Sequence, residues 1–166
     1  MASPATDGPR TPSHDGGCGD AAMADGVPDP DFDAPLPRPS GPVASLRFGR
    51  DDLGAVRRFV ESEGTRAGLP PARVADLVLA ADEIAVNSVT HGGSGGTVRC
   101  WTDSDNLVCE LAGGGSITDP LAGRVRPAPE RPDGRGLWLA NQLCDLVQIR
   151  NTGGGLVVRL RVRTAA

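Results

Sequence analysis

Neither tyrosine nor lysine occurs among the 166 residues, and aromatic side chains make up only 3% of them. A core built on large rings is therefore excluded, and burial has to rest on Val, Leu, Ile and Ala. All 17 cationic side chains are arginine, and the formal net charge is −4. That acidic balance argues against an electrostatic grip on nucleic acid or on an anionic membrane. No apolar run reaches the roughly eighteen residues that a membrane-spanning helix requires, and the N-terminus lacks a basic-then-apolar leader, so a cytoplasmic protein is expected. Cys18, Cys100, Cys109 and Cys144 contain no C-x-x-C spacing and have no histidine at metal-binding intervals. Small buried thiols are the expectation. No serine or cysteine stands beside a base in a hydrolase motif.

What is plentiful is glycine and proline, 23 and 15 residues. Together with Asp, Ala and Ser they dominate residues 1–41, which read as a disordered tail. His14, Asp15 and Cys18 fall in that tail and are read as chance neighbours, not a metal cluster. The remaining 42–166 suffice for one domain. Val43, Ser45 and Arg47 alternate with Ala44, Leu46 and Phe48, a strand whose place near a sheet edge tolerates Pro42. Asp51 is the expected N-cap of a helix reaching Arg66, with Leu53, Val56, Phe59 and Val60 as its buried stripe. Arg57, Arg58, Glu61 and Glu63 form its solvated face, and Gly68 closes it.

Residues 73–96 read RVADLVLAADEIAVNSVTHGGSGG, and the rest of the chain is organised around them. Pro71 suits a first helical turn. Val74, Leu77, Val78, Ala81, Ile84, Ala85 and Ser88 recur at spacings of three and four and form the core stripe. Glu83 and Asn87 lie four apart on another face, and His91 continues their row. Two short strands follow at 97–101 and 107–111, joined by TDSDN, with Val98, Cys100, Cys109 and Leu111 on one face.

The combination E-x-x-x-N-x-x-x-H-G, a glycine-rich exit and a following strand resembles the N box of the GHKL ATPase superfamily. It is most similar to the bacterial anti-sigma factor serine/threonine kinases. The resemblance spans roughly residues 42–163 and implies a two-layer α+β sandwich, a mixed sheet with three helices on one face. It implies that ATP and Mg²⁺ are bound, with Glu83 as general base and Asn87 as the Mg²⁺ ligand. An amide oxygen is a reasonable share of the Mg²⁺ shell, because that ion keeps several waters. A protein partner follows from it too, with an anti-anti-sigma-like antagonist and a sigma factor as the candidates, and so does homodimer formation, which is common in the group.

Further along, LAGGGS stands where the family's D-x-G-x-G box belongs, with Gly113 in place of the adenine-binding aspartate and Gly115 at the next glycine. Losing that carboxylate is expected to weaken ATP by roughly ten- to a hundred-fold. Restoring it by Gly113→Asp is then expected to tighten ATP by about ten-fold or more. Residues 117–133 match the family's ATP lid, and Arg124, Arg126, Arg131 and Arg135 are candidate phosphate clamps. Gly134, Arg135, Gly136 and Leu137 open a helix with Leu137, Leu139, Ala140, Leu143 and Cys144 available to the core. They resemble the G2 box, where free N–H groups meet phosphate. Strands at 146–150 and 156–162 close the chain around NTGGG, and Val157 is aligned with a threonine that supports adenine binding in the family. Two functions follow: a kinase transferring the ATP γ-phosphate to an antagonist protein, or a degenerate module that acts by docking.

Overall fold

Two prolines decide where the longest helix begins. Pro70 holds extended backbone (ψ 147°) as the N-cap, and Pro71 opens the helix Pro71–Thr90, where a missing N–H costs nothing. The computed structural model describes residues 34–119, 121–130 and 134–164. The expectations for residues 1–33, including His14, Asp15 and Cys18, and for Arg131 lie outside the described residues.

In chain order the elements are β1 (Ala44–Phe48), α1 (Leu53–Arg66), α2 (Pro71–Thr90), β2 (Gly96–Asp103), β3 (Asn106–Gly113), α3 (Arg135–Leu143), β4 (Leu146–Thr152) and β5 (Gly155–Arg163). The sheet runs β1-β2-β3-β5-β4, with every pairing antiparallel, whereas a mixed sheet was expected. The reason is topological. β3 and β4 run parallel, but the last hairpin inserts β5 between them, so no parallel pair touches.

Cys100 faces Cys109 and Val98 faces Leu111 in the β2–β3 register. These four pack with Val158 and Leu160 against Val56 and Val60 of α1 and against Leu77, Ala81 and Ile84 of α2 in a single core. The hairpin is longer than its sequence pattern indicated. Pairing continues through Asp103↔Asn106 and leaves Ser104 and Asp105 as the turn. At α1, Arg50–Asp52 forms a 3-10 turn and Asp52, not Asp51, is the N-cap. The Asp52 carboxylate accepts the Gly49 N–H at 2.8 Å, which fixes the entry. Glu63, expected on the solvated face, is buried and paired with Arg66. It lies on the α1 stripe formed by Val56, Val60 and Gly64, so helical spacing carries it inward.

Cys100, Cys109 and Cys144 are free, buried thiols, as expected. Burial pushes Cys144 up to about 12, the nearby Arg73 offsetting part of the rise. The pairing of Cys109 with Cys100, then burial, pushes Cys109 up as well. Both stay protonated and inert at neutral pH. Residues 34–41 form no regular element. Their stretch begins with the Ala34 carbonyl accepting from Arg150 Nε at 2.8 Å, and Pro35, Pro37 and Pro39 line a space of about 430 Å³ on the sheet face opposite the helices.

Asp145, just after α3, ties three elements together. Its Oδ2 accepts the Arg163 N–H at 2.8 Å and Arg73 Nη2 at 2.7 Å, while Arg73 Nη1 also donates to the Leu143 carbonyl at 2.7 Å. The backbone N–H of Arg163 first, then the Arg73 charge, hold its carboxyl below the ordinary carboxylate range against a burial effect of opposite sign. A pKa lower in the folded than in the unfolded chain stabilises the fold above about pH 4, and the benefit fades as pH falls through the depressed value. Asp145→Asn should therefore lower the urea midpoint at pH 7, with wild type and variant converging at the acid end. Parallel midpoint curves down to the lowest pH would refute this linkage.

Candidate functional site

The helical period that buries Ile84 and Ser88 turns Glu83 and Asn87 toward α3. Both are half-buried. α3 begins at Gly134, which holds φ +88° as its N-cap with no side-chain cap, so its first N–H groups have no intrahelical partner. Two residues on, Gly136 is buried against α2. A Cβ built there would lie 3.1 Å from Asn87 Nδ2 and 3.2 Å from Glu83 Oε2. A side chain there would press on both groups, and the absence of one lets the start of α3 lie this close to the carboxylate and the amide. The two segments that the sequence singled out, far apart in the chain, thus meet backbone to side chain.

A pocket of about 170 Å³ opens beside this junction. Its apolar wall is Ile84, Leu111, Leu137, Leu156 and Val158, and its polar groups come from Asn87, Ser88, His91 and the loop of Gly114, Gly115 and Ser116. That space suits a flat bicyclic ring more than a polyphosphate chain. A second space of about 360 Å³ lies on the other side of the α3 start, between Glu83, Arg126, Arg135 and Trp138. Asn87 borders the first and Glu83 the second, so the row on α2 is split between them.

Of the residues singled out from sequence, Glu83, Asn87, Gly136 and Leu137 come together, and Gly115, with φ +98°, joins them from the loop after β3. Gly134 stands at the head of α3. Arg135 is exposed and donates to the Pro129 carbonyl at 2.8 Å, while the Arg126 guanidinium stacks 5.5 Å from the Trp138 ring. Arg124 is exposed. The loop is pinned at its base by Asn141, whose amide donates to the Gly123 carbonyl at 3.0 Å.

Two expectations on the apolar side are corrected. Val157 borders the space on the opposite face of the sheet, whereas its neighbours Leu156 and Val158 line the pocket. Strand alternation puts adjacent residues on opposite faces, so Val157 does not reach this pocket. Gly113 ends β3 directly behind Ser88, and a Cβ there would lie 2.7 Å from Ser88 Oγ and 2.9 Å from Ser88 Cβ. A side chain cannot simply be restored at 113. Gly113→Asp is now expected to lower stability by about 1 to 3 kcal/mol through overpacking and to bring no gain in ATP affinity. Urea unfolding and nucleotide titration of that variant check both parts.

Sequence reasoning missed three contributors. Ser88 is buried, as its place in the core stripe implied, and it is also among the residues lining the pocket, a role its place next to Asn87 could have signalled. Asn151 clamps the loop after β3, with Oδ1 accepting the Ile117 N–H at 3.0 Å and Nδ2 donating to the Ile117 carbonyl at 2.9 Å. Trp138 forms a wall of the second space.

Residues Asn87, Gly115, Gly136 and Leu137 fit a nucleotide: an apolar slot beside free helix-terminal N–H groups matches a base joined to an anionic chain. Among the described residues no three His, Cys, Asp or Glu side chains are grouped to hold a metal. A Mg²⁺ here would thus take phosphate oxygens beside the Asn87 amide oxygen. Among the described residues no helix is long and apolar enough to cross a membrane.

Residues 48–162 match the family model described as the histidine kinase-like ATPase domain. Among solved structures, the crystal structure of the RsbU and RsbW domains of Rv1364c from Mycobacterium tuberculosis is similar in fold, with a TM-score of 0.56 at 20% identity, covering 74% of this chain and 32% of that one. This chain thus spans about a third of that structure. No curated protein matches it in sequence.

Proposed function

The chain belongs to the histidine kinase-like ATPase family, and from that premise we propose that it binds ATP with Mg²⁺ and transfers the γ-phosphate to a serine or threonine hydroxyl of a protein antagonist, as an anti-sigma-type kinase in a partner switch. The observation that carries this reading is the wedge of Gly136 against both Glu83 and Asn87, beside a slot that Leu137 and Gly115 share.

In this reading Leu111, Leu137, Leu156 and Val158 exclude water from the base. The N–H groups at the start of α3 hold phosphate oxygens, where the helix dipole favours negative charge. Asn87 presents its amide oxygen to Mg²⁺, which when bound neutralises phosphate charge during transfer. Glu83, on the far side of Gly136, accepts the proton of the attacking hydroxyl at its carboxylate. Arg126 and Arg135 flank the space where that hydroxyl arrives, and a guanidinium can clamp phosphate there. The acceptor is a protein, the site is cytoplasmic, and the protein acts as a homodimer with an anti-anti-sigma-like antagonist and a sigma factor as its partners.

One observation favours a second reading, a docking module with weak nucleotide binding: among the described residues no carboxylate lines the apolar slot. Calorimetry of the protein with Mg²⁺ and a non-hydrolysable ATP analogue separates the two. The kinase reading expects a dissociation constant at or below about 100 μM, lost in Asn87→Ala. An absence of binding at millimolar nucleotide would leave the docking module.

A further inference from the structure

Among the described residues no carboxylate lines the slot, but an acceptor does. Ser88 is 8% exposed, and its Oγ–H donates to the Ile84 carbonyl one turn back at 3.0 Å. The hydroxyl proton is thereby committed, and what the oxygen can still offer is its lone pairs. Ser88 lines the slot, and its oxygen lies 2.7 Å from where a Cβ on Gly113 would stand. The glycine and the serine form a complementary pair: the absence of a side chain at 113 is what admits the hydroxyl at the end of β3.

The slot that Ser88 lines has an aliphatic wall that includes Ile84, Leu111 and Val158. A buried acceptor in such a wall favours a ring that brings an N–H to it and penalises one that brings a carbonyl, because an unmet or repelled polar atom is costly where water is excluded. We infer that Ser88 is the specificity-determining residue of this slot, accepting a hydrogen bond from an exocyclic amine of the bound base and so selecting a 6-aminopurine over a 6-oxopurine. This rests on the nucleotide reading above and adds to it the group that reads the base.

The test compares the full chain and Ser88→Ala, each titrated in Mg²⁺ with ATP, with inosine triphosphate, in which the amine is replaced by an oxo group, and with purine riboside triphosphate, which has neither. Wild type should prefer ATP over both by about five- to ten-fold, the worth of one neutral hydrogen bond. In Ser88→Ala the three should fall within about two-fold of one another, through weaker ATP and not through stronger analogues. The two analogues probe wild type alone, so the inference stays testable even if Ser88→Ala fails to fold.

Wild type that binds all three equally, or Ser88→Ala that keeps the full preference, would overturn the assignment while leaving the nucleotide site standing. Wild type that binds none at millimolar concentration would overturn the nucleotide reading itself and this inference with it. Asn87→Ala is the internal control. It should abolish or weaken binding of all three alike, whereas the loss in Ser88→Ala should fall on ATP alone.

Discussion

Glu110→Ala is expected to cost about 3 to 5 kcal/mol of folding stability, the loss typical of breaking one side of a buried ion pair. The reason lies on the sheet face away from the helices. Across it, register aligns Ser45, Arg99, Glu110, Arg159 and Gln148 in one row. The Arg159 side chain is only 4% exposed, and it donates through Nε at 3.0 Å and Nη2 at 2.7 Å to Glu110 Oε2. Its guanidinium also stacks 4.9 Å from the Trp101 ring. With Glu110 gone, a cation stays buried without its carboxylate, because Arg99 is itself cationic and 3.8 Å from the other oxygen.

The double variant Glu110→Leu, Arg159→Met should recover most of that loss, since an apolar pair carries no uncompensated charge. By contrast, Arg57→Ala, which breaks the more exposed pair with Asp82, should cost no more than about 1 kcal/mol. Urea unfolding measures all three. A Glu110→Ala loss no larger than that of Arg57→Ala would mean that water reaches Arg159 and screens it.

The other large effect concerns rate. On the proposed mechanism, Glu83→Ala should slow γ-phosphate transfer by about 10²- to 10⁴-fold, the range for a positioned general base. Nucleotide affinity should change little, because Glu83 borders the second space and not the slot. Asn87→Ala should do the reverse to binding, weakening nucleotide in proportion to its share of the Mg²⁺ shell. ADP formation, together with phosphate incorporated into the antagonist, reads the first effect, and calorimetry the second. Equal turnover in wild type and Glu83→Ala would remove Glu83 as the base.

Much of this was legible before any coordinates, for a local reason. The α2 stripe and the Glu83–Asn87 spacing are set by 3.6-residue periodicity within one segment, so the sequence states them directly. β1 lies at the edge of the sheet, where the adjacent Pro42 fits, and Cys100 and Cys109 are buried on the strand face turned to the core, with Cys144 buried at the end of α3. Errors came where a local rule had a near alternative. Asp51 and Asp52 are adjacent carboxylates, and only the backbone path shows which one caps. Glu63 is charged yet continues an apolar stripe, and Val157 was one residue from the face that matters.

What the sequence by itself determined is the family, the order of elements and the segments that build the site, because motif spacing and periodicity are properties of neighbours along the chain. What only the tertiary structure decided is which groups meet: Gly136 against Glu83 and Asn87, Ser88 behind Gly113, Asn151 around Ile117, and Arg159 on Glu110. Each of those contacts joins residues from different elements, at a separation of 49 positions in the last case. Their geometry follows from how the strands register and how far a missing Cβ lets two backbones approach, and no local pattern in the chain encodes that distance.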